Sequence, residues 1–456
     1  MRKIYLKQNI CFLPEYKSIV FFNSKNTDLE IEQIKEIGVE EPLIRKNISY
    51  IKNLIPLRID IFPTYHCNLR CLYCYAGTGD YEFRSLSIKQ IDSLLMGLLK
   101  TIKLKKIASG KDKNSKIASE IYFAGGGEPT YRWDLLTYTV DKLKSLAKEN
   151  DFIVNFAIIT NGMIEDNDKI EYLCENFKYI QVSFDGIACV QNKHRPISDG
   201  RESFNTVDNF VKKCLSHNVK TALRMTVSDF SVAYLSLSID EFCQRYKNIS
   251  HIQIEPLSIN SRSERLLLNA PSPNIFVEQL FNAIKIGTKY RIPVFSSAAN
   301  IMRIANKDAF CDAVIGGSLI LNPDGLLMNC YEASVDIAEL KDYFFVGKIS
   351  DSGEISLENR KCEVKKITKT SCNKCIAFDF CRGGCTASML RNKNNKGFHC
   401  KITKGITKLL LEDIYINHGN SQLITLHEIY KPFTNVEKII YWKENENLKR
   451  LVLEEL

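Results

Sequence analysis

Three cysteines stand close together in 64-TYHCNLRCLYCYAG-77: Cys67, Cys71 and Cys74, four and three residues apart. Thiolates that near in sequence can hold one compact metal site. No fourth cysteine or histidine lies nearby at a zinc-finger spacing, and His66, as the immediate neighbour of Cys67, is expected to point away. A four-iron cluster tethered by three thiolates keeps one iron open, and an open position is what chemistry, as opposed to structure, requires. Further on, 123-FAGGGEPT-130 sets glycines, which let a ligand approach the backbone, beside Glu128, whose carboxylate can hold a cationic amine. Asp185 in 183-SFDG-186 is either a ligand group or part of a turn that closes a strand.

A second cysteine-rich region follows. It holds Cys311, then Gly325 and Cys330 in 322-NPDGLLMNC-330, then 372-CNKCIAFDFCRGGC-385 and Cys400. Four cysteines within so short a run fit a zinc knuckle as readily as a cluster. Cys11, Cys174, Cys189, Cys214 and Cys243 fall in strand, turn or helix patterns without metal spacing and read as small core hydrophobes.

These residues need elements to position them. Apolar, β-branched runs recur at 57-LRIDIFPT-64, 120-EIYFAG-125, 152-FIVNFAIITNG-162, 179-YIQVSFDG-186, 219-VKTALRMTV-227 and 251-HIQIEPLS-258, with amphipathic helical patterns between them. Six strand-helix units predict an α/β fold, a parallel array built as an open sheet or a complete or partial (β/α)6 TIM-type barrel. Thr64, Gly126 to Glu128, Thr160, Asn161, Ser183 and Asp185 all lie at strand C-terminal ends, where such folds gather their active sites. The expected division is a cap or peptide-recognition segment over 1–56, a core over 57–300, a cysteine-rich domain over 301–403, and a helical extension with a charged tail over 404–456. A polar stretch, 107–118, reads as an inserted loop.

At 456 residues the chain is long enough for two domains, and 45% apolar with 25% charged residues is ordinary globular composition. The N-terminus lacks the continuous apolar run of a signal peptide, and no apolar stretch approaches a membrane span. A cytoplasmic location is expected, where cysteines serve as metal ligands or reactive thiols. The net charge of +9 is spread without a basic-aromatic motif, so a nucleic-acid partner is not expected, although an acidic peptide is compatible.

The Cys-x3-Cys-x2-Cys loop, with Asn68 after its first cysteine and Tyr73 before its last, resembles the cluster loop of the radical S-adenosylmethionine (SAM) superfamily. That resemblance implies one SAM-binding [4Fe-4S] cluster on Cys67, Cys71 and Cys74. It also implies a SAM pocket: Gly126, Gly127 and Glu128 for the amino group, Ser183 and Asp185 for the carboxylate and ribose hydroxyls, Tyr73 beside the cofactor, and Arg195 or Arg224 for the carboxylate. The later cysteines are similar in order and spacing to the SPASM extension of that superfamily, so the resemblance spans roughly residues 57 to 400. It implies two auxiliary [4Fe-4S] clusters, one on Cys372, Cys375, Cys381 and Cys400, the other on Cys311, Cys330 and Cys385. The second lacks a ligand; either Cys362 supplies it or the position is open to a substrate group.

By that resemblance, an electron from a flavodoxin- or ferredoxin-type donor cleaves SAM to a 5′-deoxyadenosyl radical that takes a hydrogen atom from the substrate. Members with the extension act mostly on peptides, so a maturase that crosslinks a ribosomally made peptide, possibly one with a leader segment, is the leading expectation. An anaerobic sulfatase-maturing, formylglycine-forming enzyme is the alternative. Those enzymes typically carry an Asp directly after the cysteine equivalent to Cys330; here Tyr331 stands there, with Glu332 the remaining candidate base. A non-catalytic iron-sulfur protein is the reading from another class, against which the GGGEP and SFDG stretches speak.

Overall fold

The computed structural model describes residues 4–7, 10–13, 18–21, 55–80, 84–108, 117–299, 310, 311, 313, 318–333, 338–357, 372, 375–391, 397–418, 423–425, 439–444 and 448–453. Residues 28–38, most of the expected 107–118 loop and Cys362 lie outside them.

Strands β1 (Ile4–Lys7), β2 (Ile10–Leu13) and β3 (Ser18–Phe21) form an antiparallel meander. The six expected core strands follow: β4 (Arg58–Ile61), β5 (Ala118–Phe123), β6 (Ile153–Thr160), β7 (Tyr179–Ser183), β8 (Lys220–Val227) and β9 (Ile252–Pro256). They lie side by side in chain order, all parallel. The alternation within β5 shows why: Ser119, Ile121 and Phe123 are buried against the helical layer, while Glu120 and Tyr122 face the barrel interior. On the covering helix Trp133–Glu149, Leu136, Val140, Leu143 and Ala147 recur at three- and four-residue spacing and are all buried.

The sheet does not stop with these strands. β10 (Val294–Phe295) extends it beside β9, and β11 (Leu319–Leu321) adds in parallel to β4, with Ile320 opposite Asp60. β12 (Leu326–Met328), β13 (Phe345–Ile349) and β14 (Ile355–Leu357) continue antiparallel beyond it. The result is an eleven-stranded sheet running from β10 to β14, a partial barrel left open between its two edge strands. Residue 300 therefore falls between strands of one continuous sheet. The β11–β12 turn depends on Gly325: its φ is +74°, and a Cβ there would stand 2.2 Å from the Ile349 carbonyl oxygen.

The C-terminal extension departs from the helical expectation. Its helix, Phe398–His418, packs on the helix Pro273–Tyr290, with Gly405 against Val277. Beyond it, β15 (Leu423–Thr425) pairs with β3, and β16 (Ile439–Glu444) and β17 (Leu448–Leu453) form a hairpin. Strand pairing across some four hundred residues leaves no local periodicity to read. Among the described residues, no helix is long and apolar enough to cross a membrane.

Candidate active site

The cysteine loop leaves the C-terminal end of β4 and is pinned on both sides. Tyr65 N–H donates to the Arg84 carbonyl, while Arg70 and Leu72 N–H donate to the Pro196 and His194 carbonyls, each at 2.9 Å. Cys67, Cys71 and Cys74 are half-buried, and donors approach the sulfurs of the first two. Leu69 N–H lies 3.5 Å and Asn161 Nδ2 3.7 Å from Cys67 Sγ, and Arg195 Nη1 lies 3.7 Å from Cys71 Sγ. Burial, and then the neighbouring thiols, push Cys67 far above the ordinary thiol range; burial lifts Cys71 to about 11 against the pull of Arg195. A thiolate here needs a cation to offset its desolvation, and iron ligation supplies one. Among the described residues no three Cys, His, Asp or Glu groups converge on a single metal ion.

The GGGEP stretch lies against the base of this loop. Gly127 N–H donates to the Thr64 carbonyl at 2.9 Å and Glu128 N–H to the His66 carbonyl at 2.8 Å. A Cβ on Gly127 would come 2.1 Å from the His66 oxygen, and one on Gly126 2.7 Å from the Tyr65 ring. These glycines thus admit the cysteine loop itself, which differs from the sequence-based reason for them. His66 turns away and stacks on Tyr131. The Glu128 carboxylate is buried: Oε1 accepts from the Thr130 and Thr160 hydroxyls at 2.9 and 2.8 Å, and Oε2 from Asn161 N–H at 2.7 Å. Burial raises its pKa above the ordinary carboxyl value, against those donors. No cation pairs with it among the described residues. The donor set leaves a negative charge in want of an ammonium group, which fits the methionyl end of SAM.

Asp185 is held by partners within the protein. Its Oδ2 accepts from Tyr73 Oη, stands 3.1 Å from both His194 Nδ1 and Arg195 Nε, and its Oδ1 accepts from Thr226 N–H at 3.0 Å. The protein itself thus engages the carboxylate, mainly through Oδ2, and the carboxylate anchors Tyr73, His194 and Arg195. Burial alone would raise its pKa, but Arg195, His194 and Tyr73 outweigh burial and hold it well below the carboxylate range. The Tyr73 hydroxyl is likewise turned inward, and its carbonyl accepts from Asn260 Nδ2 at 2.9 Å. His194, which the sequence analysis passed over, completes the chain by meeting Ser228 Oγ at 2.9 Å through Nε2. Its one sequence signal is adjacency to Arg195.

Ser183 and Arg224 sit opposite each other across β7 and β8, half-buried, and neither side chain has a polar partner among the described residues. The two candidate arginines are therefore distinct: Arg195 is engaged by Asp185 and Cys71, whereas Arg224 has no polar side-chain partner among the described residues. Arg262 was also missed; it ties the far side of the loop by donating to the Thr78 carbonyl at 2.7 Å and pairing with Asp80 at 2.9 Å.

The later cysteines gather beside the barrel. Cys330 follows β12 and opens onto the short turn Tyr331–Ala333. Cys375 N–H donates to the Cys372 carbonyl, and three successive left-handed residues, Arg382, Gly383 and Gly384, reverse the chain between Cys381 and Cys385. After burial, Cys381 is raised by the charges of Cys400, Cys375 and Cys372, and Cys330 by those of Cys385, Glu332 and Cys311. The thiols thus fall into two neighbourhoods, with Glu332 in the second. The Tyr331 hydroxyl donates to the buried Asp60 at 2.5 Å, and its ring lies 5.2 Å from Phe62. Of the cysteines read as core, Cys214 and Cys243 are buried and Cys174 half-buried, but Cys189 is exposed on the first turn of its helix; the Cys11 side chain lies outside what is described.

Residues 61–249 match the family model described as the radical SAM superfamily. The cysteine-type anaerobic sulfatase-maturating enzyme of Clostridium novyi (strain NT) is 23% identical over 75% of this chain and 93% of its own. The Fe-coproporphyrin III synthase of Methanosarcina barkeri is 29% identical over 37% of this chain and 36% of its own. In fold, the chain resembles the solved structure of native anSMEcpe with bound AdoMet and Cp18Cys peptide, with a TM-score of 0.59, 17% identity, and coverage of 80% of this chain and 99% of that one.

Proposed function

We propose, from the premise that this chain belongs to the radical SAM superfamily, that it oxidises a residue within a peptide or protein substrate. SAM bound with a four-iron cluster supplies a carbon-centred radical able to take a hydrogen atom from an unactivated C–H bond. Cys67, Cys71 and Cys74 would hold that cluster, and Arg195 and Asn161, aimed at two of the sulfurs, would tune it. Glu128 would take the SAM ammonium, and Ser183 with Arg224 its carboxylate. Asp185 and Tyr73 position Arg195 and the loop. The single observation that carries this reading is a buried Glu128 carboxylate, hydrogen-bonded to the strand end with no cation beside it among the described residues, next to three half-buried thiols.

The two later thiol neighbourhoods would hold auxiliary [4Fe-4S] clusters, which give the second electron of an oxidation somewhere to go. Cys372, Cys375, Cys381 and Cys400 supply one set and Cys311, Cys330 and Cys385 the other, with Glu332 beside the latter. Crosslink formation in a ribosomally made peptide, with reduction by a flavodoxin- or ferredoxin-type protein, is the specific form we favour. Formylglycine formation is the second reading, favoured by the similarity to sulfatase-maturating enzymes along most of the chain. Against it, the position after Cys330 holds Tyr331, and its hydroxyl is occupied by Asp60. Anaerobic, iron-reconstituted, reduced protein should convert SAM to 5′-deoxyadenosine. Intact clusters with no such conversion would leave only an electron carrier.

A further inference from the structure

The barrel has a second opening, at the N-terminal ends of its strands and away from the cysteine loop. A cavity of about 570 Å3 leads inward from it, a size that holds a few side chains of a peptide. Lys178 and Lys220 stand exposed at its mouth, and neither has an ion-pair partner among the described residues. Arg58 adds a third positive charge, shared with Asp60 at 3.5 Å and lying over the Tyr122 ring at 4.3 Å. Against these the lining has one acid, Glu120. His251 adds no charge at neutral pH, since burial and then Lys220 lower its pKa to about 4. Its ring stacks on Tyr179 and makes an apolar wall. Level with Glu120 and Arg58 in the strand register, Asn155 Oδ1 is buried and meets no hydrogen-bond partner among the described residues, an acceptor that a peptide N–H would satisfy. Arg224 closes the inner end, directly opposite Ser183.

We propose that the substrate segment enters the barrel through this mouth and that it is acidic. Lys178, Lys220 and Arg58 hold carboxylate side chains flanking the residue to be modified, and Asn155 takes a backbone N–H. The inference rests on the peptide reading above and adds the charge of the substrate and the face it uses. Exposed lysines attract through water and are screened by salt, so the preference should be modest per charge and strongest at low ionic strength.

Two dansylated, C-terminally amidated octapeptides, one glutamate-rich and one with glutamine at the same positions, test this by fluorescence anisotropy on the iron-reconstituted full chain. The glutamate peptide should bind on the order of tenfold more tightly at low salt. That margin should collapse in K178E/K220E and survive in K142E/K148E, whose lysines are exposed on another face. Equal binding of the two peptides, or an unchanged margin in K178E/K220E, would overturn the proposal. So would tight binding of a glutamine peptide with a free C-terminal carboxylate in place of the glutamate one, because the selected group would then be a chain end. SAM cleavage, assayed separately, keeps the two readings apart: cleavage without a charge preference defeats only this inference.

Discussion

Glu128 and Asp185 are both buried carboxylates at strand ends, and their surroundings push them in opposite directions. Glu128 has hydrogen-bond donors but no cation beside it among the described residues, so its charge is costly until an ammonium arrives. Glu128→Gln should weaken SAM binding about 10- to 100-fold, the worth of one hydrogen bond to a charged group, while folded stability at pH 7 falls by no more than about 1 kcal/mol. Calorimetric titration with SAM, paired with urea unfolding, checks both halves; unchanged affinity would remove Glu128 from the cofactor site. Asp185 is held down by Arg195, His194 and Tyr73. A carboxyl lowered in the folded state stabilises above its unfolded pKa, near 4, and loses that contribution as pH falls through its lower folded value. Asp185→Asn should cost about 3–5 kcal/mol at pH 7 by leaving Arg195 buried and unpaired. The deficit against the parent should narrow steadily below about pH 4, and an equal deficit at pH 7 and pH 3 would contradict the assignment.

At the scale of elements, the six core strands were legible because each carries its own apolar run, and the polar residues at their ends were legible as a group. The reason for the glycines was not. Gly126 and Gly127 meet Tyr65 and His66, sixty residues earlier, and only folding brings those segments together. The same holds for the Asp185 anchor, whose partners Tyr73, His194 and Thr226 come from three different elements. Gly127→Ala must therefore move the cysteine loop: bound iron should fall by the share of one cluster, and stability by about 1–3 kcal/mol. Gly200→Ala is the contrast, with φ at +88° but nothing within 4 Å of its Cβ. It should lose about 1–2 kcal/mol and no iron. Equal iron in the two variants, measured by ferrozine assay, would detach the GGGEP stretch from the cluster loop.

Across the whole molecule, the later cysteine region is not a detachable appendage. β11 pairs with β4 along Leu319 to Leu321, and that pairing was hidden because a three-residue strand has no periodicity and its partner lies some 260 residues away. Cutting the chain after residue 300 bares the β4 edge, with Ile59 and Ile61 in it, and an uncovered apolar edge strand recruits other chains. The truncated protein should therefore elute as aggregate in size-exclusion chromatography; a soluble, SAM-binding monomer would show that the barrel stands alone. The central claim concerns the substrate, and it is tested most directly by mass spectrometry of a peptide encoded beside this gene after anaerobic co-expression with the full chain. Oxidation predicts a mass lower by two hydrogens, abolished by Cys71→Ala. An unchanged peptide, from an enzyme that still converts SAM to 5′-deoxyadenosine, would contradict it.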